Sequence, residues 1–304
     1  MRDLVIDHPY MTDAGLETDM VFNRGIDLPC FSSLALLRSP EGRRALEDYY
    51  RGFLALAQQS GTGFILESAT WRASPDWAKP LGLSIREMAD LNRAAVALLH
   101  TLKADYDVPV LVSGCIGPRG DGYDPGTVMT VETATDYHNA QLGWLAEGGA
   151  QAISAVTMTN TPEAIGISRA AAARGLSVVI SFTVETDGLL PTGEALGDAI
   201  TEVDRATGEY PAYYMINCAH PSHFATAIDG GASWIARLGG IRANASCLSH
   251  AELDQMTELD AGDPTALAAD YAALCAAYPH IRVLGGCCGT DLRHITAIAR
   301  ACLR

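Results

Sequence analysis

Short apolar segments alternate with longer amphipathic segments along almost the whole chain. The apolar segments predict strands at residues 10–13, 63–67, 108–112, 152–156, 177–182, 213–217, 234–238 and 281–284. Apolar residues at helical spacing predict helices at residues 40–59, 84–106, 130–147, from 161, 195–207, 221–228, 251–258, 263–278 and 291–303. Strands without alternating polar residues are buried on both faces, as the strands of a parallel sheet are.

Eight units of strand followed by helix in 304 residues favour a (β/α)8 barrel. A doubly wound sheet is the runner-up, but no Gly-x-Gly-x-x-Gly pattern follows the first strand. No linker or low-complexity segment interrupts the chain, so residues 1–304 are predicted to form a single domain. The carboxyl ends of barrel strands open at one mouth, where residues far apart in sequence can meet.

Two adjacent cysteines, Cys287 and Cys288, directly follow the last predicted strand and lie within a Gly-Gly-Cys-Cys-Gly-Thr segment. We expect the two preceding glycines to bend the chain so that both thiols face one metal ion. The helix predicted after them would direct its positive end at the pair and favour thiolates. Cys218 ends the sixth predicted strand and, in a barrel, would meet the pair at the mouth.

Three thiolates hold a tetrahedral Zn²⁺ and leave its fourth position open, as in a catalytic zinc site. Zinc held by Cys218, Cys287 and Cys288 is therefore the predicted cofactor. Two other interpretations stay open, because free cysteines often pack as small hydrophobic residues and an adjacent pair can form a strained disulfide. His220 would close the site as a fourth ligand, although its position favours the start of a helix.

The composition narrows the class of partner. Hydrophobic residues make up 48% of the chain, and the formal net charge of −15 argues against nucleic acid or an anionic membrane surface as the partner. No apolar run is long enough to span a membrane, and the first residues lack the apolar stretch of a signal peptide. Eight cysteines without an export signal indicate reduced thiols in the cytoplasm.

Several motifs together resemble one known family. In chain order they are Asp13-x-Gly15 with Thr18, Gly114-Cys-Ile-Gly-Pro118, Ser181-Phe182, Asn217-Cys218 and Gly285-Gly-Cys-Cys-Gly-Thr290. With these motifs the chain resembles the zinc-dependent homocysteine S-methyltransferases. The resemblance implies the barrel, zinc, and a cytoplasmic enzyme of methionine biosynthesis that methylates a thiol such as homocysteine. One barrel has no room for the folate or cobalamin modules of methionine synthase, so we expect a small sulfonium donor similar to S-methylmethionine.

Departures from the family cluster where the acceptor thiol is expected to bind. The fourth strand ends in Ala155-Val156-Thr157 where the family has Phe-Glu-Thr. In the family, that Glu is expected to hold the ammonium group of homocysteine together with the first-strand Asp. The predicted substrate-binding residues are Asp13, Glu17, Glu67, Thr70, Trp71 and Asn217.

Val156 cannot bind an ammonium group, which leaves two interpretations of the acceptor. Either Glu17 or Glu67 supplies the missing carboxylate, or the acceptor lacks a free ammonium group. The structural alternatives are an ion pair of Glu67 with Arg72 and a turn capped by Glu17. We favour a changed or enlarged acceptor, because several neighbouring segments of the predicted pocket differ together from the family.

Two functions of other classes share the same zinc site. One is a zinc hydrolase or lyase that activates a metal-bound water. The other is a zinc-thiolate protein for storage or sensing, without catalysis. Dependence of turnover on a thiol distinguishes methyl transfer from both.

Overall fold

Eight parallel strands close into a barrel in the computed structural model, which describes residues 6–228 and 231–303. The strands are β1 Tyr10–Met11, β2 Gly63–Glu67, β3 Val110–Ile116, β4 Ala152–Met158, β5 Ser177–Phe182, β6 Tyr214–Asn217, β7 Leu238–Ala243 and β8 Val283–Gly286. Each strand pairs with its neighbours in sequence, and β1 pairs with β8 through Tyr10 opposite Val283. The predicted (β/α)8 barrel is confirmed.

Helices surround the barrel and connect successive strands. They are α1 Leu16–Thr18, α2 Pro40–Ser60, α3 Pro75–Ala78, α4 Ile85–Lys103, α5 Val131–Glu147, α6 Thr161–Ala173, α7 Leu196–Thr207, α8 Pro221–Phe224, α9 His250–Leu253, α10 Pro264–Ala277 and α11 Leu292–Cys302. Short 3₁₀ segments are Pro29–Phe31, Ser33–Arg38 and Ser233–Arg237, and a π-helical turn is Asp19–Asn23. A capping box of Ser84 and Glu87 begins α4.

The largest hydrophobic cluster lies where the helices cover the outer face of the barrel. A second cluster, which includes Ile65, Val179, Met215 and Val283 from four strands, fills the barrel interior. The interior of such a barrel is a packed core and not a pore, so space for a ligand is restricted to the mouth. Among the described residues, no helix combines the length and apolarity that crossing a membrane requires.

The prediction of the seventh strand at residues 234–238 is wrong. Ser233–Arg237 forms a 3₁₀ turn, and β7 begins at Leu238. Trp234 contributed to the apolar pattern, but it packs outside the barrel and not in a strand. Its indole ring lies over Gly197, where a Cβ atom would collide with it. The true strand contains Gly239 and Gly240, which lowered its apolar signal. A Cβ on either glycine would press on a neighbouring side chain, at 2.8 Å from the ring of Tyr213 or from Val283.

Several boundaries also differ from their predictions, mostly at the mouth. β3 runs from Val110 through Ile116, beyond the end predicted at residue 112. β8 lies at Val283–Gly286 and not at residues 281–284. The helices predicted at 221–228 and 251–258 are the four-residue α8 and α9. Where a strand or helix begins and ends depends on its tertiary contacts, and a local apolar pattern does not contain that information.

Candidate active site

One cavity of about 480 Å³ opens at the carboxyl ends of the strands. Residues at or after the carboxyl ends of β1, β2, β3, β4, β6, β7 and β8 contribute to its wall, as does Tyr50 of α2. Five of the six predicted substrate-binding residues line it, namely Asp13, Glu17, Glu67, Trp71 and Asn217. The three cysteines predicted to bind zinc line the same cavity.

Cys218 reaches the cavity through an unusual backbone conformation. It directly follows β6 and has a φ of 56°, a value that residues other than glycine rarely adopt. Its amide donates to the carbonyl of Arg242 on β7 at 3.2 Å, and its carbonyl lies 2.6 Å from Nε2 of His250. Tertiary contacts on both sides of the peptide therefore hold a strained residue in place, as is frequent at functional sites.

The Cys287–Cys288 turn is fixed by backbone hydrogen bonds. The Cys287 amide donates to Ala243 at 2.8 Å, and the Cys288 carbonyl accepts from Ala245 at 3.0 Å. The bend expected at Gly285 and Gly286 is wrong, because both glycines lie within β8. Their lack of a side chain is needed for space, since a Cβ on either would collide with a threonine hydroxyl. Gly289, with a φ of 79°, is the residue that turns the chain.

The first-strand motif supports this turn from the other side. The Thr18 hydroxyl accepts a hydrogen bond from the amide of Gly289 at 3.2 Å. A Cβ on Gly15 would lie 2.5 Å from the carbonyl oxygen of Cys287. Gly15 and Thr18 therefore shape the backbone under the cysteines and do not themselves add ligands.

The three sulfur atoms converge as one metal ion requires. The Sγ of Cys218 lies 2.9 Å from that of Cys287 and 3.6 Å from that of Cys288, and all three lie within 4.8 Å of one another. Tetrahedral zinc with Zn–S bonds of about 2.3 Å separates its sulfurs by roughly 3.8 Å. Among the described residues, no other group of three or more metal-binding side chains is as close together. The donor set and its spacing therefore fit a metal ion bound by three thiolates.

Tyr123, which the sequence did not indicate, covers this cluster. It lies in the loop after β3, and its hydroxyl is 3.3 Å from the Sγ of Cys218 and 3.6 Å from that of Cys288. Its ring stacks on His250 with centroids 3.9 Å apart. His250 in turn contacts Glu185 at 2.9 Å. No spacing in the sequence connects Tyr123 with the cysteines, because the contact depends on the path of a long loop.

Asn217 organises the cavity wall beside the cysteines. Its side-chain oxygen accepts from the amide of Thr157 at 2.8 Å and from the hydroxyl of Ser181 at 2.6 Å. Its side-chain nitrogen donates to the Thr157 hydroxyl at 2.8 Å and lies 3.7 Å from the Sγ of Cys287. Thr157 has a φ of 63°, so Asn217 holds a second strained residue at the mouth.

Cys287 is the most acidic thiol of the cluster. Hydrogen bonds from the thiols of Cys218 and then Cys288 hold its pKa well below the usual value, and the positive charge of Arg242 acts in the same direction. The pKa of Cys218 is raised. The main cause is its hydrogen bond with Cys287, in which the Cys218 thiol keeps its proton. A negative charge shared among neighbouring sulfurs favours the binding of a cation.

A buried ion-pair cluster lies on the wall of the same cavity. Arg242 of β7 donates from Nη2 to Asp13 Oδ1 at 2.6 Å and from Nη1 to Glu67 Oε2. Its Nε donates to the carbonyl of Gly286 at 3.1 Å. Burial raises the pKa of Asp13, and the charge of Arg242 opposes that shift. The anticipated pairing of Glu67 with Arg72 is wrong, since Arg72 pairs with Asp121 at 3.0 Å.

The other predicted residues differ in their relation to the cavity. Glu17 lines it and accepts from the Ser33 hydroxyl at 2.7 Å, and burial raises the pKa of its carboxyl group. Trp71 lines it beside Val156, with Nε1 at 3.4 Å from the Val156 carbonyl. Thr70 does not reach the cavity, because its buried hydroxyl donates to the carbonyl of Cys115 at 2.6 Å.

His220 does not approach the sulfurs as a ligand. Its Nδ1 accepts from the amide of Ser222 at 3.2 Å and begins α8, while its Nε2 lies 3.9 Å from Asp270. His220 is also absent from the cluster of metal-binding side chains. The fourth-ligand interpretation therefore has no support, and the role as a helix start is confirmed.

Comparisons with known proteins identify the family of the chain and support its fold. A family model described as homocysteine S-methyltransferase matches residues 10–302. Crystal structures of the homocysteine methyltransferase MmuM from Escherichia coli are similar in fold at 21% identity. The oxidised form has a TM-score of 0.77 and covers 96% of this chain and 95% of that one; the metallated form has 0.75, with 97% and 96%.

A curated relative is similar over part of its length. The selenocysteine Se-methyltransferase of Brassica oleracea var. italica is 28% identical over 176 residues. The match covers 50% of this chain and 48% of that protein, so the chain spans about half the length of this relative.

Proposed function

The chain belongs to the homocysteine S-methyltransferase family, and we propose that it transfers a methyl group from a small sulfonium donor to the sulfur of an acceptor thiol. We further propose that Cys218, Cys287 and Cys288 hold the zinc ion that activates this thiol. The convergence of three thiols on the wall of a closed-barrel cavity carries the proposal. A site of this kind has room for a fourth, exchangeable ligand next to the space for a substrate.

Zinc bound by the three cysteines would lower the pKa of a coordinated acceptor thiol, so that the acceptor reacts as a thiolate. The residues of the chain supply the geometry around it. Backbone hydrogen bonds fix the main chain at Cys218, Cys287 and Cys288, and the side chains of His250 and Thr290 add hydrogen bonds to the carbonyls of Cys218 and Cys287. The cavity wall restricts the motion of donor and acceptor, which favours an in-line approach of sulfur to methyl carbon.

Asn217 and Tyr123 are proposed as positioning residues. The Asn217 side-chain nitrogen lies 3.7 Å from the Sγ of Cys287, and a hydrogen bond to that sulfur moderates its charge. The Tyr123 hydroxyl lies over Cys218 and Cys288, on the wall of the cavity. A thiol acceptor that approaches the cluster displaces this contact, whereas the ring of Tyr123 can still shield the reacting sulfur from water.

The charge of the cavity supports a cationic methyl donor. Its wall contains two basic residues, Arg72 and Arg242, and each is engaged in ion pairs. The carboxylates on the wall are Asp13, Glu17, Glu67, Asp121, Asp254, Glu258 and Asp260. The surplus of carboxylates concentrates cations at the mouth. A sulfonium compound carries the positive charge on the atom that leaves, so the same field favours its binding.

We also propose a reducing compartment, the cytoplasm, as the place of action. All eight cysteines of the chain are free in the structure. Thiol chemistry at an exposed zinc site needs cysteines that stay reduced, and the cytosol maintains them so.

A crossed screen of thiols against methyl donors tests the proposal. Homocysteine, amine-free thiols and N-acylated thiols are each combined with S-methylmethionine, a betaine and methyltetrahydrofolate, and products are identified by mass spectrometry. The expected result is a methylated thiol formed only with an onium donor, and none formed by Cys218→Ala. Turnover of the donor without any thiol would instead indicate hydrolysis. Activity with methyltetrahydrofolate and with no onium compound would refute the donor assignment.

A further inference from the structure

Three buried polar atoms of cavity-lining residues have no hydrogen-bond partner among the described residues. One is Nε of Arg72, whose Nη2 pairs with Asp121. The other two are the hydroxyl of Tyr50 on α2 and Oε1 of Glu67 at the end of β2. The two residues are 1% and 4% exposed, and both line the cavity. Buried polar atoms in native proteins are almost always paired, so two unpaired ones on a cavity wall indicate groups that a ligand satisfies.

The two atoms are complementary in hydrogen-bonding character. Burial raises the pKa of Tyr50 well above its usual value, so its phenol stays protonated and offers an O–H donor. Glu67 is an acceptor only, because its other oxygen accepts from the Arg242 guanidinium. A ligand that satisfies both atoms therefore presents one acceptor and one donor.

Arg242 makes this side of the cavity poorly suited to an ammonium group. It occupies Glu67 Oε2 and Asp13 Oδ1, and its charge offsets one of the two carboxylates. An ammonium group has three N–H donors, and each loses its bound water on burial and needs an acceptor in return. Glu67 Oε1 is the one carboxylate oxygen of this cluster without a partner among the described residues. Val156, on the same wall, offers no acceptor from its side chain.

We propose that Tyr50 and Glu67 recognise a secondary amide on the acceptor thiol, with the amide N–H donating to Glu67 Oε1 and the amide carbonyl accepting from the Tyr50 hydroxyl. The substrate class is an amino-acid thiol whose amino group is acylated or peptide-linked. The inference rests on the proposed function, because it identifies the acceptor of that reaction. Tyr50 and Glu67 act as specificity-determining residues, and Arg242 positions Glu67.

Binding of the methylated products tests the assignment without requiring turnover. The zinc-loaded protein is titrated calorimetrically with methionine, N-acetylmethionine, N-acetyl-N-methylmethionine and 4-(methylthio)butanoate. N-Acetylmethionine is expected to bind at least about ten-fold more tightly than methionine. Methylation of the amide nitrogen removes the N–H that Glu67 accepts, so it is expected to weaken binding by about three- to ten-fold, as is loss of the whole amide.

The variant Tyr50→Phe tests the other hydrogen bond. Because its hydroxyl has no partner in the part of the chain that the structure describes, removal leaves the melting temperature equal or higher. N-Acetylmethionine is expected to bind about three- to ten-fold more weakly, with methionine unchanged. Tyr214→Phe is the matched control, since that buried hydroxyl donates to Asp204 at 2.7 Å outside the cavity. It is expected to lower the melting temperature and to leave the binding ratio of the two ligands unchanged.

The outcomes separate this inference from the proposed function. Methionine binding as tightly as N-acetylmethionine, an unchanged ratio in Tyr50→Phe, or binding of none of the four compounds overturns the amide assignment. N-Acetylmethionine binding that depends on Tyr50, together with no methylation of any thiol, supports the recognition site and refutes the methyltransferase. Preferred methylation of free homocysteine by wild type and Tyr50→Phe alike supports the methyltransferase and refutes the recognition site.

Discussion

The two sides of the barrel mouth are built in different ways. On the thiol side, Cys218, Cys287 and Cys288 are positioned by main-chain hydrogen bonds and by unusual backbone angles at Cys218 and Gly289. On the acceptor side, Asp13 and Glu67 are positioned by one long side chain, Arg242, which crosses from β7.

The difference separates chemistry from specificity. Main-chain contacts depend little on the identity of the surrounding side chains, so substitutions in the pocket leave the backbone of the thiol cluster in place. A pocket set by side-chain charges changes its preferred ligand when one charge is replaced. Arg242 connects the two sides, because its carbonyl accepts from the Cys218 amide while its guanidinium holds Asp13 and Glu67.

The largest expected effect breaks the thiol side. Each of the single variants Cys218→Ala, Cys287→Ala and Cys288→Ala is expected to reduce zinc from about one per chain to near zero, because two thiolates hold the ion far more weakly than three. Metal analysis after dialysis measures it. Cys247→Ala is the control, since that cysteine is exposed and outside the cluster. Full zinc retention by Cys218→Ala would contradict the ligand assignment.

The next effect breaks the acceptor side. Arg242→Gln leaves Asp13 and Glu67 buried without their cation, so the free energy of unfolding is expected to fall by about 3–5 kcal/mol. Urea denaturation measures it. The control Arg93→Gln also removes two ion pairs, with Asp90 and Glu147, but these are more exposed and are expected to cost less than about 1 kcal/mol. A loss as small as that of the control would show that the Arg242 ion pairs do not hold this side together.

A third change would convert the acceptor side toward free amino acids. Val156→Glu places an open carboxylate on the cavity wall, and a hydrogen bond to a charged group contributes roughly 1.5–3 kcal/mol. Methionine is therefore expected to bind about ten- to a hundred-fold more tightly, as measured by calorimetry. Val156→Gln, of equal size and without charge, is the control and is expected to gain much less. Equal affinity in Val156→Glu and wild type would show that this position does not select the acceptor.

The smallest effect sharpens the picture of the thiol side. Tyr123→Phe removes the hydroxyl that lies 3.3 Å from the Sγ of Cys218. In zinc-free, reduced protein at neutral pH, alkylation of the cluster by iodoacetamide is expected to slow by about three-fold, because a hydrogen bond that stabilises the thiolate is lost and a smaller fraction of the thiol is ionised. Mass spectrometry of the modified peptides measures the rate. Tyr137→Phe, whose hydroxyl contacts Ser74, is expected to leave the rate unchanged, and equal rates in both variants would exclude this role of Tyr123.

The barrel was predictable because its signals are local and repeat eight times. Apolar runs buried on both faces predict parallel strands wherever they occur, and single errors such as the seventh strand do not change the count. That strand was misplaced because Gly239 and Gly240 lie where neighbouring side chains leave no room for a Cβ, a requirement that a hydrophobic pattern does not contain.

The sequence by itself determined the barrel and the set of three cysteines, since the strand pattern brings their strand ends to one mouth. Only the tertiary structure decided what surrounds them. Tyr123 reaches the sulfurs through a long loop, and Arg242 reaches Glu67 across 175 positions of sequence. The pairing of Glu67 and the exclusion of Thr70 from the cavity likewise depend on which way side chains point once the barrel has closed. Contacts of this kind leave no periodic signal, because they join single residues and not repeating faces.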